Sequence, residues 1–339
     1  MRIRLSRLAA RPARVAVPAL VLAVGAGLTA CGASGSSSAS TSAATSGIGT
    51  LTIGMTAVNG VVDGNMAWGE HAGTLLAALK SVGVTKVTFA TFEAGPQVQA
   101  ALQSGAVQVA VTGDLPALQA RGTAAGGNTR QIGFSEINED EWLVGRKGGP
   151  TTVAGLAGGT VAAATNTVRY RFAYGLLEEK GLLNKVTLSN LGTPDAVAAL
   201  QSGKIDATPL SGAQAVEMAS EGYPVIAKAD QYPTLMATEE TTALQSFLGQ
   251  HPGFAAAWGN ALAATNKSID ANASAFFAYD AGIDHVTTAN EQAGTPLNEF
   301  NTTPFPAAGV AQLQSTYNFS TQLHLIQQPF SVTSWLARG

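Results

Sequence analysis

Beyond residue 50 the chain alternates short apolar runs with stretches of helical spacing. Residues 51–55, 86–92, 107–112, 141–145, 160–164, 185–189, 205–210 and 224–229 form short β-like runs and predict strands. Trp68, Ala72, Leu75, Leu76 and Leu79 recur at helical intervals, as do Phe172, Leu176 and Leu177. From about residue 241 the pattern turns helical, over 242–248, 252–272, 273–281 and 307–317. Strands alternating with helices predict an α/β fold with largely parallel sheets.

An internal repeat sharpens this picture. Pro96-Gln97-Val98-Gln99-Ala100-Ala101-Leu102-Gln103-Ser104-Gly105 returns 98 residues later as Pro194-Asp195-Ala196-Val197-Ala198-Ala199-Leu200-Gln201-Ser202-Gly203. Val107 and Val109 then match Ile205 and Ala207, and Thr112-Gly113-Asp114 matches Leu210-Ser211-Gly212. Each copy reads as a proline near a helix start, a glycine stop, a buried strand, a small turn and another helix. Two similar α/β lobes follow from it.

The first 30 residues have another character. Arg2, Arg4, Arg7, Arg11 and Arg14 precede an apolar run, and Leu28-Thr29-Ala30-Cys31 closes it. This is the layout of a secretory signal, and the run is too short and interrupted for a spanning helix. Its ending resembles the bacterial lipobox, in which the cysteine becomes the lipidated first residue. Cys31 is the single cysteine of the chain, so disulfides, thiolate catalysis and cysteine metal sites are excluded from the mature protein. Residues 31–50, nearly all Gly, Ala, Ser and Thr after the cysteine, predict a flexible tether. Without residues 1–30 the chain carries 14 basic and 22 acidic residues, a formal charge of −8. A basic face for nucleic acid is not to be expected. The expectation is an exported protein, lipid-anchored at the outer face of the cytoplasmic membrane.

In an open α/β sheet, ligands bind where strand ends run into helix N-termini, whose free N–H groups suit an anion. Five turns fit: Asn59-Gly60, the turn holding Gln97, Thr112-Gly113-Asp114, Asn166-Thr167-Val168, and Ser211-Gly212. The same residues also serve as plain helix caps. Arg169 and Arg171 flank the fourth turn. Arg169 is a candidate ligand contact, with pairing to acids as the alternative. Asp114 beside an anion would repel it and is expected to orient backbone or to meet an amine.

Phe92-Glu93-Ala94-Gly95-Pro96-Gln97, Ala101-Leu102-Gln103-Ser104-Gly105 and Thr112-Gly113-Asp114-Leu115-Pro116 resemble the signature of the SsuA-like/NMT1-like periplasmic binding proteins, which serve ABC importers for aliphatic sulfonates, taurine and nitrate. Thr152 to Val161 and Tyr170 to Leu182 resemble the family's second lobe. The resemblance implies a type II periplasmic-binding fold: two α/β lobes with a hinge and a central ligand cleft. Lobe 1 would comprise 50–143 and 236–339, and lobe 2 would comprise 144–235, with crossovers near 141–146 and 233–238. It carries ligand contacts onto Thr112, Gly113, Asp114, Asn166, Thr167 and Val168. Where the family has Gly-Ser-Ser-x-His, this chain has Asn166-Thr167-Val168-Arg169-Tyr170, which leaves the headgroup open.

His71, His251, His285 and His324 are scattered, and no His-Glu-x-x-His, Gly-x-Ser-x-Gly or Walker motif occurs. The expectation is therefore a monomeric binding protein without metal or cofactor, not an enzyme. It would take a small oxyanion such as an aliphatic sulfonate or taurine and pass it to an ABC permease and ATPase. A nitrate or pyrimidine-like cargo, or a receptor serving a sensor, are the alternatives.

Overall fold

The computed structural model describes residues 47–57, 60–123 and 126–338. The signal segment, Cys31, most of the tether and Asn59 lie outside the described residues. The first stretch forms β1 (Gly49–Thr56), α1 (Gly64–His71), α2 (Thr74–Leu79), β2 (Val84–Phe92), α3 (Gly95–Gln103), β3 (Val109–Gly113), α4 (Asp114–Arg121) and β4 (Thr129–Glu139). Then come β5 (Trp142–Gly145), β6 (Thr160–Ala162), α5 (Val168–Glu179), β7 (Thr187–Ser189), α6 (Thr193–Gln201), β8 (Ala207–Leu210), α7 (Gly212–Ser220) and β9 (Val225–Lys228). The chain closes with β10 (Ala237–Leu244), α8 (Gln245–Gln250), α9 (Phe254–Ala271), α10 (Ala273–Asp284), α11 (Thr288–Gly294), α12 (Ala307–Gln322) and α13 (Val332–Trp335).

The strands make two five-stranded sheets, ordered β2-β1-β3-β10-β4 and β7-β6-β8-β5-β9. In each, three parallel strands meet an antiparallel one that arrives from the other side of the molecule: β10 against β3 and β4, β5 against β8 and β9. The two lobes thus share one topology. The repeat lands on equivalent elements, α3-β3-α4 and α6-β8-α7. Gly105 and Gly203 each end a repeat helix with positive φ, 77° and 71°, a conformation that glycine adopts without cost.

Packing follows the pattern. Leu51, Ile53 and Met55 alternate inward from β1 and meet Leu75, Leu79, Trp258 and Leu262. In the second lobe Val161, Phe172, Leu176 and Leu177 fill one side, and Leu200, Leu210 and Met218 another. Trp68 belongs to an aromatic core with Phe276, Phe277 and Phe300.

All eight expected strands form, but two more appear. β4 and β10 escape the pattern because they are polar: β10 reads Ala-Thr-Glu-Glu-Thr-Thr-Ala-Leu, yet it is central in its sheet. Its threonines find tertiary partners. Thr241 Oγ1 donates to the Gly133 carbonyl at 2.9 Å and accepts from Trp258 Nε1 at 2.9 Å. This corrects the helix expected over 242–248. Residues 242–244 are strand, and the helix begins only at Gln245. The chain passes to the second sheet at Asp140-Glu141, so Trp142 and Leu143, expected in lobe 1, pair in the second sheet. It returns between β9 and β10.

Candidate functional site

The two lobes meet along the N-termini of α4 and α5. Gly113 faces Val168 so closely that a Cβ on it would lie 2.5 Å from a valine methyl. Beside them, Gln119 Nε2 of lobe 1 donates to Asn166 Oδ1 of lobe 2 at 3.1 Å. Asn166 takes a left-handed conformation, φ 64°, which asparagine tolerates better than most residues. Gly113, Asn166 and Val168 are therefore brought together across the seam. Gly212, at the start of α7, packs on the Gly294 carbonyl that ends α11.

Other predicted side chains are occupied by the protein itself. Thr112 is fully buried and its Oγ1 accepts from Gln99 Nε2 at 2.9 Å. Thr167 caps α5, accepting from the Tyr170 N–H at 3.2 Å and donating to the Ala164 carbonyl at 2.6 Å. Gln97 is exposed, and its Oε1 accepts from the Glu93 N–H at 3.1 Å, closing its own loop. Gly60 is exposed with φ 74°. Ser211 stands at the N-cap of α7 without a side-chain capping bond. Asp114 is buried. One of its oxygens accepts from Thr316 Oγ1, and burial pushes its carboxyl upward while the charge of Arg171 opposes that shift. Arg171 is itself buried, donating to the carbonyls of Thr234, Leu235 and Met236 at 2.6–3.1 Å. Arg169 pairs with an acid: its Nε lies 3.2 Å from Glu141 Oε2.

Glu141 is one of a set that sequence reasoning passed over. Asp63 precedes α1, Glu136 and Glu139 lie on β4, Glu141 sits at the crossing, and Glu239 faces Glu136 across the β4–β10 pairing. Burial, then neighbouring carboxylates, pushes the carboxyl groups of Glu136 and Glu139 well upward. The same causes push Asp63 and Glu239 up to about 7. A signal was present: Glu136, Glu139, Asp140 and Glu141 place four of the chain's 22 acids within one six-residue stretch. Among the described residues, no group of His, Cys, Asp and Glu could hold a metal ion. A cavity of about 300 Å³ between α5 and α12, lined by Arg171, Glu178 and Phe319, includes none of the predicted contacts.

No family model matches the chain. A curated protein of Escherichia coli (strain K12), named for binding aliphatic sulfonates, is 31% identical over 126 residues. That alignment covers 36% of this chain and 39% of the relative. The alkanesulfonate-binding protein SsuA from Xanthomonas axonopodis pv. citri, bound to MOPS, superposes with a TM-score of 0.71 at 19% identity, over 87% of this chain and all of that one. The desulfurization enzyme DSZB shares the fold with a TM-score of 0.64 at 18% identity, over 85% of this chain and 96% of its own. The chain is thus a partial sequence homologue of an aliphatic sulfonate-binding protein and has the two-lobed fold of the SsuA periplasmic binding proteins.

Proposed function

We propose that the protein is the extracytoplasmic substrate-binding component of an ABC importer, holding a small organosulfonate-class solute between its lobes and presenting the closed form to a permease. The observation that carries this reading is the seam itself. Two lobes of one topology close upon each other through the N-termini of α4 and α5, and only the two chain crossings at the hinge join their sheets. Such a fold does its work by closing on a ligand, and the free energy of closure comes from contacts made to both lobes. No covalent step is required. The similarity to sulfonate-binding proteins supports the cargo class, and a desulfurization enzyme shares the fold. Export and a lipid anchor on Cys31 complete the proposal, resting on the arginine-rich leader and its Leu-Thr-Ala-Cys ending.

Thermal shift and titration calorimetry of the purified chain with alkanesulfonates, taurine, nitrate and pyrimidines test it. A ligand at a hundred times its dissociation constant adds about 2.7 kcal/mol of apparent stability. A saturable shift with a sulfonate supports the proposal. A shift confined to pyrimidines, or none with any compound, overturns the cargo class.

A further inference from the structure

The negative formal charge of the chain averages over a polarity along the first lobe. β1, β2 and β4 begin, and β10 finishes, at one end of the sheet, where Thr50 pairs with Lys86 and Arg130 with Ala243. Asp63, Glu93 and Asp114 follow the opposite ends of β1, β2 and β3. The glutamates of β4 and β10 also lie on the halves away from this base. The stretches that pass through the base, residues 71–92, 94–113, 115–135, 241–269 and 300–339, contain no aspartate or glutamate.

Cations occupy it instead. Lys80 and Lys86 are both exposed, on either side of Gly83, whose carbonyl accepts from the Gly49 N–H at 2.9 Å. α4 runs back from the far end and brings Arg121 to the base, where it feels the charge of Arg130. The guanidinium of Arg121 lies 4.8 Å from the centre of the Phe330 ring, and Arg130 Nη2 donates to the Leu336 carbonyl at 3.0 Å. Four strand spacings, about 19 Å, separate β2 from β4, so the four charges share one face.

The chain also enters at this end. Gly47 packs on Gly83, and β1 starts at Gly49, between the two lysines. Residues 32–46 separate Cys31 from Gly47, which at roughly 3.4 Å per residue span at most about 55 Å. An anchor on Cys31 therefore tethers the molecule by its basic end. A bilayer with anionic headgroups presents the complement, a plane of phosphates that attracts each nearby Lys or Arg. The acids lie a strand's length away, about 26 Å for the eight residues of β1, and the Debye length at physiological ionic strength is about 8 Å. Their repulsion is screened while the base is in contact. Among the described residues Val61 is the one exposed large apolar side chain, and it follows the far end of β1. Contact at the base is thus electrostatic, with nothing inserted into the lipid.

We propose that the base of the first lobe docks on an anionic lipid surface through Lys80, Lys86, Arg121 and Arg130. The lipid-anchored reading supplies the membrane that this face meets, and the docking itself needs only the folded lobe. Docked so, the molecule holds its seam a lobe's height away from the lipid. Weak, salt-reversible contacts release it for delivery.

Every described strand and helix lies within one compact unit that begins at Thr45, so the chain from Gly32 onward serves without its arginine-rich leader. Co-sedimentation with vesicles of phosphatidylglycerol and phosphatidylcholine in equal parts is compared with vesicles of phosphatidylcholine alone. The expected result is binding to the first at about 0.05 M salt, none to the second, and release at about 0.5 M. Lys80→Gln combined with Lys86→Gln should weaken that binding about tenfold or more. Lys185→Gln combined with Lys204→Gln removes two exposed lysines from the second lobe and should change it less than about threefold. Equal binding to neutral vesicles, or an equal loss from both pairs, overturns the proposal. So does no binding to the anionic vesicles, an outcome that leaves this face to an acidic protein partner. None of these results touches the solute reading, which the sulfonate titrations decide separately.

Discussion

Arg171 and Asp114 show what a buried charge does when the fold encloses it. The guanidinium is 1% exposed, and three carbonyls from the return crossing take its N–H groups. It ties α5 of the second lobe to the chain entering β10 of the first, so it acts as a structural pin at the hinge. Arg171→Met removes those donors and leaves Asp114 without its compensating charge. The expected loss is about 3–5 kcal/mol, measured by urea denaturation. A double-mutant cycle with Asp114→Asn should return a coupling of about 1 kcal/mol or more, because the second change removes the acid that Arg171 neutralises. Additive losses would show that the backbone contacts alone matter.

At the scale of elements, the capped N-terminus of α5 is the test case. Thr167 bonds the Tyr170 N–H in the manner of a helix cap. Thr167→Ala should lower stability by about 1 kcal/mol, read as a lower denaturation midpoint at unchanged slope. The repeat elements were legible because each is a local statement: proline at the helix start, glycine at its end, an apolar strand behind it. β4 and β10 were not legible. β10 is mostly threonine and glutamate, which no local rule assigns to the middle of a sheet, and β4, at the sheet's edge, scatters Ile132, Phe134 and Ile137 among polar residues. What makes β10 a strand is Gly133, Ala110 and Trp258, which accept from and donate to its threonines from distant parts of the chain.

At the scale of the whole molecule, closure and charge are the two levers. The carbonyl of Gly294 blocks any side chain at Gly212 when the lobes are together. Gly212→Ala should therefore weaken ligand binding by about tenfold or more, while the melting temperature of the ligand-free chain changes little, because each lobe keeps its own core. Unchanged affinity would show that the α7–α11 contact is not part of the closed, liganded state. Charge sets the response to pH. Asp63 and Glu239 are pushed up to about 7, and Asp280 to about 8, in each case by burial first and a neighbouring carboxylate second. Between about pH 4, where these groups titrate in the unfolded chain, and those values, the folded state holds more protons than the unfolded one. Their contribution is complete below that range and is lost as pH rises through 7 to 8. Thermal melts of the ligand-free chain should accordingly fall in midpoint from pH 5 to pH 8, and a flat or rising profile would count against the acidic cleft.

The chain's own order of residues was enough for the α/β class, the two related lobes, and the turns between β3 and α4 and between β8 and α7. Those features depend on periodicity, turn chemistry and neighbours a few positions apart, which are written locally. The pairing of β4 with β10 joins segments on either side of the inserted second lobe, and that pairing gathers Glu136, Glu139 and Glu239 into one place. The same long-range folding turns Asp114 toward Thr316 and sets Arg169 on Glu141. Burial and charge are properties of the assembled neighbourhood, so the chemistry of the cleft emerged only once both lobes were in place.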